Sequence, residues 1–272
     1  MKYMRVWFLP ISILSCLFMA VGQPSLYAVD PIQNSCGIIK TYFEKGAPHG
    51  TNGFVVKKDK KVYFLTVLHV SKSFDQVNEL KAVEIILPHL IAHPFRKKPA
   101  QADFLEGDSI KTKRPYGKLM ETVDVLAIDI TTEFEELAGV EAISQIIPFE
   151  ALAGMDKKEV VDQSFNQSLD IACYPSTGNG SFIQTSEYQT AKINREWSKH
   201  GYGSITTIKE GEYPSGFWMD IKTEHGDCGR PIILRQNFNY MVIGLIKTGD
   251  DTRPLTFAVD GTAIVRTLDL KK

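Results

Sequence analysis

The segment HGDCGRPI, residues 225 to 232, places a thiol between two glycines in a short polar loop. Attack on an amide carbonyl needs a nucleophile, a base to take its proton, a group that orients the base, and N–H donors for the developing oxyanion. Cys228 is the candidate nucleophile, because a thiolate forms far more readily than an alkoxide, and more so beside an imidazole. His69, at the end of the apolar run YFLTVLHV, is the candidate base. Asp124, opening DVLAIDI, is the candidate orienting group: its carboxylate can accept from the other imidazole nitrogen and stabilise the imidazolium. Asp129, in the same run, competes for that role. Gly226 and Gly229 allow a tight turn that aims the N–H groups of Gly226 and Cys228 at one point, an expected oxyanion hole. Taken singly, each residue has an ordinary explanation: a small buried hydrophobe, a satisfied core histidine, a turn aspartate. Their occurrence in three separate segments, in the order His, Asp, Cys, is what joins them into one chemistry.

The elements that must position these residues are mostly strands. GFVVKKDKKVYFLTVLHV (53 to 70) has the pattern of a hairpin around a charged turn, and AVEIIL (82 to 87) predicts another strand. Prolines and charges from Pro88 to Met120 predict long loops, after which ETVDVLAIDI (121 to 130) returns to alternating apolar character. Between Thr131 and Gln167 the composition shifts toward Glu, Ala and Leu, predicting short helical turns that connect two halves. SLDIACYP, FIQTSEYQTAKIN, FWMDIKT, RPIIL, YMVIGLIKTG and LTFAVDG then follow as short β-rich runs, the spacing of a barrel or sandwich. TAIVRTLDLKK predicts a short closing helix, and Trp197 and Trp218 are expected to pack against the second β unit.

A chain of 272 residues with 43% hydrophobic content can bury a substantial core. Its formal net charge of -1, with basic residues scattered, leaves no electrostatic footprint for nucleic acid. Residues 1 to 28 form an expected export signal: Lys2 and Arg5, an apolar run from Val6 to Val21, then a cut after Ala28. The run is broken by Pro10 and is short for a membrane span, so a periplasmic or secreted protein is expected. Ile13-Leu14-Ser15-Cys16 loosely resembles a bacterial lipobox, in which Cys16 would be lipidated. Without Cys16 three cysteines remain, and the simplest arrangement joins Cys36, on an N-terminal arm, to Cys173 and leaves Cys228 a thiol. His89 and His93 lie four apart, a spacing that could place both on one helix face for a metal, but no third ligand is evident and Pro88 and Pro94 flank the pair.

GTNGFVV and FLTVLHV (50 to 70), DVLAI (124 to 128), CYP (173 to 175) and GDCGRPI (226 to 232) resemble, in order and spacing, the trypsin-like peptidases. The likeness extends to the bacterial branch of glutamyl endopeptidases and high-temperature-requirement proteases, and the thiol in the loop is similar to the viral picornains. The resemblance implies an all-β chymotrypsin-like fold, with two six-stranded antiparallel β-barrels and a short C-terminal helix. It puts His69 and Asp124 on a barrel spanning 29–135 and Cys228 on one spanning 136–272. It implies an endopeptidase acting on protein or peptide through an acyl-thioester, with no metal or organic cofactor. It also implies that Thr223, Ile246, Lys247, Thr248 and Gly249 wall the substrate cleft. Ile246 stands where glutamyl endopeptidases and picornains have a histidine, which predicts an uncharged or apolar residue before the cut, and Lys247 is expected to be exposed. The family's Ile-Val-Gly-Gly activation motif is absent, and Arg230 replaces a small residue. An Arg230 lying across the cleft would make the chain a catalytically silent binding domain, the reading from a different class.

Overall fold

The computed structural model describes residues 30–71, 79–99, 104–106, 109–111, 120–122, 124–164, 166–175, 182, 186–199, 216–236, 239–250 and 252–269. The expected export segment 1–28, with Cys16, lies outside them. Among the described residues no helix is long and apolar enough to cross a membrane.

Helix α1 (Pro31–Ser35) leads into strand β1 (Cys36–Phe43), which pairs antiparallel with β2 (His49–Lys58). Strand β2 turns through Asp59 and Lys60 into β3 (Lys61–Thr66). Asp59 takes φ 56°, a left-handed conformation that the short side chain of aspartate tolerates. The segment around Cys36, expected as an arm, is therefore a strand. It is central, with β2 on one side and β4 (Leu80–Ile86) on the other. Three short strands follow: β5 (Phe95–Lys97), β6 (Phe104–Glu106) and β7 (Ser109–Lys111), the last pairing with β8 (Met120–Thr122) as a separate two-stranded sheet. With β9 (Leu126–Asp129) the first sheet runs β5-β4-β1-β2-β3-β9-β6.

The connector is helical in pieces, as its composition predicts: α2 (Thr131–Ala138), two 3-10 turns around the short strand β10 (Ile147–Pro148), and α3 (Lys157–Ser164). Strand β10 pairs parallel with β2, giving the first sheet eight strands in place of the expected six. The second half holds β11 (Leu169–Cys173), β12 (Glu187–Ala191), helix α4 (Arg195–Ser198), β13 (Gly216–Met219), β14 (Pro231–Gln236), β15 (Asn239–Gly249) and β16 (Thr256–Asp260). These six strands form one sheet in the order β12-β11-β14-β15-β16-β13. Helix α5 (Gly261–Asp269) closes the chain.

Both sheets bury their apolar faces, and one cluster of buried side chains draws from each: Ile38, Phe54 and Tyr63 from the first, Ile233, Val242 and Leu245 from the second, Ile264 and Leu268 from α5. Trp218 packs edge-to-face on Trp197 at 5.9 Å and on Phe257 at 5.2 Å, within the second unit as expected. Cys36 is 1% exposed in the shared cluster and carries a thiol. Among the described residues the expected Cys36–Cys173 disulfide is not shown, and Cys36 packs as a small apolar group in the cluster that holds Ala172 and Tyr174. The side chain of Cys173 lies outside the described set.

Candidate active site

The 3-10 turn Leu68–Ser71 ends β3 and presents His69, whose side chain is 51% exposed. Asp124 sits two residues before β9, the neighbour of β3, so strand pairing alone brings the two side chains together. Asp124 is 7% exposed and grips His69 twice. Its Oδ1 accepts from the His69 backbone N–H at 2.8 Å, and its Oδ2 from Nδ1–H at 2.7 Å, which leaves Nε2 for another partner. Cys228 lies close enough to the imidazole to favour its charged form. The three residues therefore meet, two from the first sheet and one from a turn of the second. Asp129 does not compete: it accepts from Lys61 and from Thr131 Oγ1, each at 2.7 Å, at the start of α2.

The electrostatics follow from this chain of contacts. Partial burial of His69 opposes its protonation, but the hydrogen bond to Asp124 and the closeness of Cys228 outweigh it and push its pKa up to about 10. Burial works to raise the Asp124 carboxyl, yet the His69 ring, the Lys247 ammonium and the His69 N–H hold it below its ordinary value. Lys247, expected to be exposed, is instead turned inward: its side chain is 13% exposed, and Nζ lies 3.9 Å from Asp124 Oδ2.

Around Cys228 the chain turns through two left-handed glycines, Gly226 (φ 98°) and Gly229 (φ 83°). A Cβ on Gly229 would come 2.1 Å from the Asn52 carbonyl oxygen, so only glycine fits. The turn is held from the first sheet by two polar residues of β2. Thr51 Oγ1 donates to Cys228 O at 2.7 Å, and Asn52 Nδ2 donates to Gly226 O at 2.9 Å. Asn52 also exchanges bonds with the Tyr174 backbone, accepting at 2.8 Å and donating at 3.1 Å. Neither residue was singled out from sequence, although a fully buried amide inside an apolar strand is a signal that partners must be found. Among the described residues, the Gly226 and Cys228 N–H groups donate to no acceptor.

Of the expected cleft residues, Thr223 and Gly249 touch: Thr223 Oγ1 lies 2.6 Å from where a Gly249 Cβ would stand. Ile246 is fully buried in the same apolar cluster as Phe217 and Ile232, and a bulge in β15 follows it, around Lys247 and Thr248. Arg230 does not lie across the cleft. It is 1% exposed, is ion-paired with Asp227, and donates through Nη1 to Gln189 Oε1 at 3.0 Å, which removes the basis offered for a silent domain. His89 and His93 lie on a turn and a bend between β4 and β5, not on a helix. His89 Nε2 is 3.0 Å from Ser186 Oγ. A surface depression of about 620 Å³ lined by Ile193, Asn194, Arg195, Glu196, Lys199 and Asp220 shares no residue with the Cys228 cluster.

No protein-family model matches the sequence, and no curated protein is similar to it in sequence. Solved structures are similar in fold. HL collagenase superposes with a TM-score of 0.54 at 14% identity, over 90% of this chain and 96% of that one. GrC superposes with a TM-score of 0.53 at 12% identity, over 88% and 94%. The inactive form of Rv3671c from M. tuberculosis H37Rv aligns over 90% of both chains at 15% identity, with a TM-score of 0.49. The chain described here has the chymotrypsin-like fold.

Proposed function

We propose that the chain is an exported endopeptidase with a cysteine nucleophile, in which Cys228, His69 and Asp124 act as a triad. The observation that carries the reading is the convergence of three separate segments: Asp124 holds the backbone and ring of His69 through two hydrogen bonds, and Cys228 lies close enough to the ring to help raise its pKa. A His69 protonated at neutral pH is the partner a thiolate requires. In this mechanism Cys228 Sγ attacks the scissile carbonyl, and the oxyanion is met by the Gly226 and Cys228 N–H groups. His69 gives its proton to the leaving amine as the carbon–nitrogen bond breaks, leaving an acyl-thioester. It then takes a proton from the water that hydrolyses the thioester, while Asp124 holds the ring and stabilises its charged form.

Substrate backbone would add as a strand along Lys247, Thr248 and Gly249, the side chain before the cut lying beside Thr223 and Ile246. An apolar Ile246 favours an uncharged or apolar residue there. GTNGFVV, CYP and GDCGRPI link the chain to the glutamyl endopeptidase and high-temperature-requirement branch within this reading. Incubating the reduced full chain with a peptide library tests it. Cleavage after uncharged or apolar residues, lost in Cys228→Ala by about 1000-fold or more, is expected. Absence of any cleavage refutes the peptidase, and a strict demand for Glu or Gln refutes the role given to Ile246.

A further inference from the structure

Among the described residues, the largest fully buried side chain is a charged one, Arg230. Its partner Asp227 is 4% exposed, and the two flank Cys228 in sequence, one residue before it and two after. A buried ion pair adds little net stability against an apolar replacement of the same volume, because desolvation offsets the attraction. Breaking one leaves an uncompensated charge, so the pair strongly restricts which conformations its segment can adopt.

The restriction falls on the turn that carries the nucleophile. Asp227 Oδ1 accepts from Arg230 Nη2, and Oδ2 accepts from the Glu224 N–H at 2.7 Å. The Asp227 N–H donates back to Glu224 O at 3.0 Å. Behind the turn, the Gly229 N–H donates to Ile246 O at 2.7 Å, and Arg230 O accepts from the Ile246 N–H at 2.9 Å. Arg230 Nη1 is anchored on β12 through Gln189. The interior bonds thus engage the turn on both sides of Cys228 while the Gly226 and Cys228 N–H groups keep no acceptor among the described residues.

We propose that the Asp227–Arg230 pair is an internal clamp that sets the 225–229 turn in the conformation presenting the Gly226 and Cys228 N–H groups, making Arg230 a positioning residue for turnover. The inference rests on the peptidase reading only for its kinetic consequence. Arg230 touches no substrate, and it acts on how the N–H groups are held, separately from the His69–Cys228 contact.

The test compares the reduced full chain with Arg230→Met, Arg230→Lys and the neutral pair Asp227→Asn/Arg230→Gln. Arg230→Met, well below its melting temperature, should lower kcat by about 100-fold, the cost of a misplaced oxyanion donor, with KM changed less than about threefold. Iodoacetamide should still alkylate Cys228 at close to the wild-type rate, since the imidazole contact is intact. Hydrogen exchange of the 225–229 amides should accelerate. Arg230→Lys, which keeps the charge, should recover part of kcat. The neutral pair avoids a lone buried charge and serves if Arg230→Met does not fold. A folded Arg230→Met or neutral-pair variant with wild-type exchange in the turn overturns the clamp. So does a loss of kcat matched by an equal loss of alkylation rate. A wild type that cleaves nothing refutes the peptidase reading instead, and exchange of the 225–229 amides still decides the clamp.

Discussion

Asp124 binds both the backbone N–H and the ring of His69, which ties the protonation of that imidazole to folding. The His69 pKa is raised from its ordinary 6.5 to about 10, so its contribution to stability is fully present below about pH 6.5 and is lost as pH rises toward 10. Urea unfolding at pH 6, 8 and 10 should show wild type losing more stability over this window than His69→Ala; parallel curves would contradict the pairing. Asp124 behaves in the opposite sense. Its carboxyl is held below the ordinary 3.8, so its contribution is present above that value and lost as pH falls. Lys247 supplies part of that depression from 3.9 Å. In Lys247→Met the acid-side loss of stability should begin at higher pH than in wild type, and an unchanged acid limb would show the ammonium to be a bystander.

Strand β2 connects the fold to the nucleophile turn. Its outer half is a hairpin arm that alternation and turn chemistry make legible, and β4, β9, β11 and β13 to β16 fall on the apolar runs that predict them. Strand β1 escaped, because CGIIKTYF lies between two strands with buried side chains on both faces and gives no clean alternation. His69, Asp124 and Cys228 were legible because each follows or opens an apolar run. Asn52 was not, since its partners Gly226 and Tyr174 are 174 and 122 residues away. Removing its amide leaves the Tyr174 N–H and carbonyl short of partners in the interior, while Gly226 O keeps the Asn52 backbone N–H and Thr51 Oγ1, each at 3.2 Å. Asn52→Ala should therefore cost about 3 kcal/mol in urea unfolding. It should also loosen the turn, read as faster hydrogen exchange at 225–229. A loss under about 0.5 kcal/mol would mean the network is not made in solution. Gly229→Ala meets the same strand from the other side, with a Cβ 2.1 Å from Asn52 O at a φ of 83°. It should reduce Cys228 alkylation and thermal stability together, and wild-type behaviour in both would show that the turn adapts.

At the scale of the whole molecule the two sheets behave as one body because a single apolar cluster runs through both. The helical connector was legible as a composition change at Thr131, but what joins the two sheets was not, since TAIVRTLDLKK carries no sign of where a short amphipathic helix will dock. Helix α5 inserts Ala263, Ile264 and Leu268 into the shared cluster beside Leu105 and Ala127 of the first sheet and Leu245 and Val259 of the second. Lys58 at the end of β2 fastens the far end of the helix, donating to Leu268 O at 2.9 Å and pairing with Asp269. The ion pair is largely exposed on the Asp269 side and adds little, so the apolar seam carries the coupling. Ile264 is fully buried, and Ile264→Ala removes three carbons from a site packed by both sheets, which should cost about 3 kcal/mol. Because the seam is shared, that loss should fall on both sheets: amides of β3 and of β15 should lose protection by the same factor, and thermal unfolding should remain one transition at a lower temperature. Loss of protection in β15 alone, or a split into two transitions, would show that the sheets fold independently and that the His69–Cys228 contact depends on docking between them.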